Sequence, residues 1–267
     1  MTRADAVRTA RLSTGITVPW VASGDPGGIP VVLLHAWAES RGAFDRVRAA
    51  LPPSVYALAW DQRGHGDADR PAGGYSLREA AEDVAAFLDA VGLDRAVLVG
   101  SSSGGYVAQQ VAVAHAARVS GLVLVGAPRS LQGRPPFADE VERLRDPVDP
   151  AWVRASLEWF PLGQPVPDGY LADRVADGAR VPAHVWRAVL HGLSDAVPPT
   201  ESGRITAPTL VIWGAEDRLL PRVEQEALCA AVPAARSSAY PDTGHLVLWE
   251  QPDRVAADLA AFVHALA

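Results

Sequence analysis

Five continuous apolar runs punctuate the chain: Val31-Val32-Leu33-Leu34, Val55-Tyr56-Ala57-Leu58-Ala59-Trp60, Ala96-Val97-Leu98-Val99, Leu122-Val123-Leu124-Val125 and Leu210-Val211-Ile212. A strand with one wet face alternates apolar and polar residues, so uninterrupted runs of this length predict parallel strands covered on both faces. Helical segments separate most of them. Ser76-Leu77-Arg78-Glu79 is a capping box, and Ala80, Val84, Phe87, Leu88 and Val91 follow at helical spacing until Gly92 stops the helix. Upstream, Ile16-Thr17-Val18-Pro19-Trp20-Val21-Ala22 follows a Ser-Thr-Gly turn and suggests a hairpin with Arg11-Leu12. Ser237-Ser238-Ala239-Tyr240 reads as a short strand near the carboxyl end. The alternation predicts an α/β fold: a mostly parallel sheet of about eight strands with helices on both sides.

Between residues 128 and 204 the pattern breaks. Prolines cluster, the buried-strand signature vanishes, and Trp152, Trp159 and Trp186 appear among short helix-like stretches. This predicts a helical insertion late in the sheet, with residues 1–127 and 205–267 as the two parts of one core.

The pentapeptide Gly100-Ser101-Ser102-Ser103-Gly104 follows the third of those runs directly and is followed in turn by Gly105-Tyr106-Val107-Ala108-Gln109-Gln110-Val111, a good helix former. In a strand, tight turn, helix sequence of this kind the central serine is held in a strained backbone with its hydroxyl exposed. A helix-capping serine is the plain alternative. A serine hydroxyl is a poor nucleophile at neutral pH, so chemistry there requires a base within hydrogen-bond reach and a carboxylate to orient the base. Acids lie just past the strand at Thr209-Leu210-Val211-Ile212-Trp213, as Glu216 and Asp217, and a histidine, His245, closes the loop after Tyr240. The chain order Ser, acid, His suits this scaffold.

On these residues the chain resembles the α/β-hydrolase family over nearly its whole length. The likeness is carried by His35-Ala36-Trp37, by Asp61-Gln62-Arg63-Gly64-His65-Gly66, by the serine turn, and by residues 214–221 with Gly244-His245. One departure is Ala36, where resembling proteins usually have glycine. The resemblance implies that Ser102 is the nucleophile, His245 the general base and acid, and Asp217 its orienting carboxylate. Asp217 is favoured over Glu216 because the family's pattern of Gly, two residues, Asp and a later Pro falls on Gly214, Asp217 and Pro221. It further implies an oxyanion hole from the backbone amides of Trp37 and Ser103, and a cap over the serine formed by residues 128–204. Candidates for substrate contact are His35, Trp152, Trp159, Trp186 and Leu246, although the tryptophans could equally serve only to join cap to core. His35 and His65 are also read as residues that shape their loops. His115, His184, His191 and His264 have surface or packing explanations.

Composition narrows the chemistry. The chain has 267 residues, is 49% hydrophobic and carries a net charge of −7, enough for one sizeable core and without the basic footprint of a nucleic-acid or membrane-surface binder. All 24 positive charges are arginine, which removes Schiff-base lysines, a phosphate-loop lysine and a Ser-Lys dyad. No stretch approaches the roughly 18 apolar residues of a membrane span, and the first eight residues contain no apolar leader, so a soluble cytoplasmic protein is the default expectation. The single Cys229 is read as packing material. Neither metal-ligand spacing nor a dinucleotide glycine fingerprint occurs, so no metal and no cofactor is expected.

Within the family, resembling dehalogenases and epoxide hydrolases use aspartate where this chain has Ser102, and hydroxynitrile lyases use a lysine that is absent here. Carbon–carbon hydrolases often carry tryptophan after the catalytic histidine, where this chain has Leu246. The leading expectation is a small-molecule carboxylic ester or lactone hydrolase. Carbon–carbon hydrolysis or haloperoxidase-like perhydrolysis with the same triad is the alternative, and a non-catalytic small-molecule binding protein is the third reading. Oligomeric state is left open.

Overall fold

The strands form where the apolar runs place them. In the computed structural model, which describes residues 6–266, they are β1 (Arg8–Arg11), β2 (Thr17–Ser23), β3 (Ile29–Leu34), β4 (Val55–Trp60), β5 (Ala96–Ser101), β6 (Val119–Val125), β7 (Thr209–Gly214) and β8 (Ala235–Tyr240). Residues 1–5, part of the segment read above for a leader, lie outside the described residues, as does residue 267. The sheet order is β1-β2-β4-β3-β5-β6-β7-β8; β2 pairs antiparallel with both β1 and β4, and the pairings from β4 through β8 are parallel.

Successive side chains of the central strands enter opposite cores, as the strand's two-residue period requires. Val32, Leu34, Leu58, Leu98, Leu122 and Leu124 meet α2 (Leu77–Ala90) and α3 (Ser103–Ala114) through Val84, Phe87, Tyr106 and Val111. Val31, Leu33, Val97, Val99, Val123 and Val125 meet α1 (Asp45–Ala50) and the long carboxyl-terminal helix through Val47, Val255 and Leu259. The capping box on α2 forms: Ser76 Oγ accepts from the Glu79 amide and Glu79 Oε2 accepts from the Ser76 amide. Half-buried Cys229 packs beside the first of these cores, as expected.

Between β6 and β7 the chain leaves the sheet and builds five helices: α4 (Ala138–Glu142), α5 (Pro150–Ser156), α6 (Asp168–Arg180), α7 (Ala183–Ser194) and α8 (Pro199–Ser202). A third apolar cluster joins α4, α5, α6 and α7 to Tyr75, Trp37 and Ala38 of the main body. Polar contacts reinforce the seam. Ser40 Oγ donates to Asp177 Oδ2 at 2.6 Å and the Tyr170 hydroxyl donates to the carbonyl of Ala43 at 2.7 Å. After β7 come α9 (Arg222–Ala231), α10 (Val247–Glu250) and α11 (Pro252–His264). No helix among the described residues is long and apolar enough to cross a membrane.

Candidate active site

Ser102 sits between β5 and α3 with φ 46° and ψ −119°, a conformation that an L-residue other than glycine adopts only under constraint. Close backbone approach supplies that constraint. A Cβ on Gly100 would lie 2.4 Å from the Gly104 carbonyl oxygen, and one on Gly104 would lie 2.3 Å from the Leu34 oxygen and 2.5 Å from the His35 oxygen. The glycines therefore let the turn fold back on itself and let the start of α3 press on the end of β3. The Ser102 amide is anchored by the Val125 carbonyl at 2.9 Å.

His245 and Asp217 arrive from the neighbouring strand ends. Asp217 follows β7 and His245 follows β8, two parallel strands that hydrogen-bond to one another. His245 Nδ1 lies 2.7 Å from Asp217 Oδ2, and His245 Nε2 lies 3.0 Å from Ser102 Oγ. A carboxylate only accepts, so Nδ1 carries the proton and Nε2 is free to accept from the serine hydroxyl. The other oxygen of Asp217 accepts from the amides of Leu219 and Leu220, each at 2.9 Å, which fixes the carboxylate in its plane. Asp217 and His245 are both 5% exposed. Glu216, the other acid at this strand end, is exposed.

The loop after β3 completes the wall. Ala36 does not need the left-handed backbone that glycine would permit; that conformation falls on Ala38, with φ 64°. The loop is held by Glu39, whose Oε2 accepts from the Ala36 amide at 2.9 Å and whose Oε1 accepts from Trp249 Nε1 at 2.9 Å. Burial pushes the Glu39 carboxyl above its usual range, opposed by the Ala36 amide. The Trp37 amide does not stand free: it donates to Ser103 Oγ at 2.7 Å. The Ser103 amide belongs to the first turn of α3, where no helical acceptor exists.

A cavity of about 150 Å³ opens beside Ser102, Ser103 and His245. Its walls are mostly apolar, with Trp37, Phe137, Trp159, Phe160, Trp186 and Trp249 as the large surfaces. Leu246, Trp159 and Trp186 line it. His35 and Trp152, also expected at the pocket, do not. Trp152 stands behind the wall, edge-on to Trp159 at 5.8 Å and to Trp186 at 5.3 Å. His35 is fully buried beneath the loop, where Nδ1 donates to the Ala36 carbonyl at 2.8 Å and Nε2 accepts from the Gln62 amide at 3.0 Å. Burial lowers its pKa to about 4, and that of His65 beside it to about 3, so both rings are neutral supports.

Two side chains near the site escaped the sequence reading. Phe160, from the inserted region, stacks on His245 with ring centres 5.3 Å apart. Glu250 Oε2 accepts from the amides of Gly163, at 2.7 Å, and Gln164, at 2.8 Å, and its Oε1 accepts from Gly244 at 3.0 Å, joining the insertion to the histidine loop. Only the acid in Trp249-Glu250, so soon after the histidine, hinted at this. The 61–66 turn is structural: Asp61 is fully buried, its Oδ1 accepts from the Arg41 amide, and Arg63 grips Asp83 through two bonds of 2.7 Å. Among the described residues no cluster of three or more His, Cys, Asp or Glu is placed to hold a metal ion.

Comparison with known proteins places the chain in a family. A model described as "Alpha/beta hydrolase family" matches residues 31–258. A non-heme chloroperoxidase of Streptomyces lividans is 30% identical over 280 residues, spanning 96% of this chain and 99% of that protein. Among solved structures, an esterase of Rhodococcus sp. is 28% identical with a TM-score of 0.84, covering 98% of this chain and 99% of that one. The enol-lactonase of Burkholderia xenovorans shares the fold, at 23% identity and a TM-score of 0.83 over 96% of this chain and 100% of its own.

Proposed function

Because the chain belongs to the alpha/beta hydrolase family, we propose that it cleaves a small carboxylic ester or lactone, without a cofactor, through an acyl-enzyme on Ser102. The observation that carries this reading is the continuous hydrogen-bond chain from Ser102 Oγ through His245 to Asp217, at 3.0 and 2.7 Å, opening on an apolar cavity. Ser102 Oγ attacks the substrate carbonyl carbon while its proton passes to His245 Nε2. The tetrahedral oxyanion is stabilised by hydrogen-bond donors at the start of α3, and collapses as His245 returns the proton to the leaving oxygen. Water then attacks the acyl carbon, giving one proton to His245; the acid departs and Ser102 recovers its proton. In a lactone the leaving oxygen stays tethered to the acyl group through both steps, and the product is a single hydroxy acid. The helices at residues 128–204 act as a cap in this reading, and the size and apolar walls of the cavity suit a small, largely apolar acyl or alcohol group.

The test is steady-state hydrolysis of short and medium p-nitrophenyl esters. Wild type should turn over and Ser102→Ala should fall by about 10³-fold or more. Asp217→Asn should fall by roughly 10⁴-fold while staying folded. The Leu219 and Leu220 amides would keep the Asn oxygen, turn its NH₂ toward Nδ1, and leave the proton on the wrong imidazole nitrogen. Equal inertness of wild type and Ser102→Ala would reject the ester reading.

The chloroperoxidase likeness supports a second reading with the same residues, in which hydrogen peroxide replaces water at the acyl-enzyme and releases a peracid. Peracid formed from an acyl donor and peroxide by wild type, and lost in Ser102→Ala, would support it.

A further inference from the structure

Two backbone amides normally suffice to bind an acyl-transfer oxyanion. Here one of them, the Trp37 N–H, is already engaged by a side chain that also lines the cavity: Ser103 Oγ, 2.7 Å away. The contact is not a loose surface pairing. Ser103 is 9% exposed, and Gly104, next in the chain, brings α3 so close to β3 that a Cβ there would lie 2.3 Å from the Leu34 oxygen. The backbone on both sides of the Trp37 to Ser103 bond is therefore fixed. A hydroxyl has one proton to give and two lone pairs to accept with. One lone pair of Ser103 Oγ is taken by the Trp37 amide, and its own proton has no acceptor among the described residues.

We propose that the Ser103 hydroxyl is itself an oxyanion donor, set and polarised by the Trp37 amide, so that the oxyanion is bound by the Ser103 N–H and the Ser103 O–H. This rests on the serine-hydrolase reading of Ser102 and assigns a second function to the residue beside it. The physical case is cooperative. An N–H donating into a hydroxyl strengthens that hydroxyl as a donor, and a hydrogen bond to a developing negative charge is stronger than one to a neutral carbonyl. The interaction therefore grows between ground state and transition state, which is the requirement for raising turnover rather than binding alone. The competing arrangement is a hydroxyl that only occupies the hole and swings aside, leaving the oxyanion to the bare Trp37 amide.

The two arrangements predict opposite signs for Ser103→Ala. If the hydroxyl donates, its removal lowers kcat by about 10- to 10²-fold with KM little changed, less than the loss expected for an unreplaced donor because the freed Trp37 amide can bind in part. Ser103→Thr, which keeps the hydroxyl, should stay within about threefold of wild type on the same scale. The same order should hold for the rate of covalent labelling of Ser102 by a p-nitrophenyl phosphonate, whose P–O oxygen enters the same hole. That readout needs no turnover, so it reports on Ser103 even if p-nitrophenyl esters are not hydrolysed. Circular dichroism and thermal melting of each variant establish that it is folded. Labelling and turnover by Ser103→Ala at or above the wild-type rate, or equal losses in Ser103→Ala and Ser103→Thr, would overturn the proposal. A wild type that is labelled but inert towards esters would instead reject the substrate reading and leave the Ser103 comparison valid.

Discussion

His35 Nε2 accepts from the Gln62 amide, so a proton on that nitrogen breaks a buried hydrogen bond as well as burying a charge. Burial holds its pKa near 4, against the raising effect of the Ala36 carbonyl, and burial with the neighbouring His35 holds that of His65 near 3. Both values lie below the unfolded value of about 6.5, so the stability these rings contribute is fully present above pH 6.5 and is lost as pH falls towards 4 and then 3. The loss amounts to several kcal/mol for the pair as an order of magnitude. Urea midpoints followed from pH 7 to 4 should fall steeply in wild type, and more shallowly in a His35→Gln, His65→Asn double variant that remains folded. An unchanged slope would contradict the assignment. At this scale chain order and strand-end placement point to Ser102, His245 and one of Glu216 and Asp217, and the family resemblance selects Asp217. It is silent on the Ser103 side chain, Glu250 and Phe160, whose roles depend on which distant amide or ring the fold brings alongside.

At the scale of elements, the turn from β5 into α3 is the junction on which the site depends. Its glycines matter through what touches them, which a contrast between two substitutions makes measurable. Gly104→Ala places a methyl 2.3 Å from the Leu34 oxygen, a backbone atom at the buried end of β3 that cannot give way. Gly73→Ala meets nothing within 4 Å and has no left-handed backbone. Gly104→Ala should therefore lower stability by about 3 kcal/mol or more, or abolish soluble expression, whereas Gly73→Ala should stay within about 0.5 kcal/mol of wild type. Chemical denaturation measures both. The strands were legible because parallel strands covered on both faces must be apolar throughout, and α2 because its cap and stop are written in adjacent residues. The helices α4 to α8 were legible only as a break in that pattern. They are short, and five tryptophan and phenylalanine rings stack across them in an arrangement that no local spacing encodes.

For the whole molecule, the sheet acts as the rigid frame that delivers three loops to one point: the turn after β5, the loop after β7 and the loop after β8, with the loop after β3 opposite. Residues of the insertion, among them Phe137, Trp159, Phe160 and Trp186, line the cavity beside them. Glu250 ties that insertion to the histidine loop through three backbone amides. In the proposed function this frame makes one serine out of three adjacent ones reactive. Peptide mapping by mass spectrometry after labelling with a p-nitrophenyl phosphonate tests that claim most directly. A single adduct is expected, on Ser102, absent in Ser102→Ala and strongly slowed in His245→Ala. An adduct on Ser101 or Ser103, labelling that does not depend on His245, or no adduct at all would contradict it.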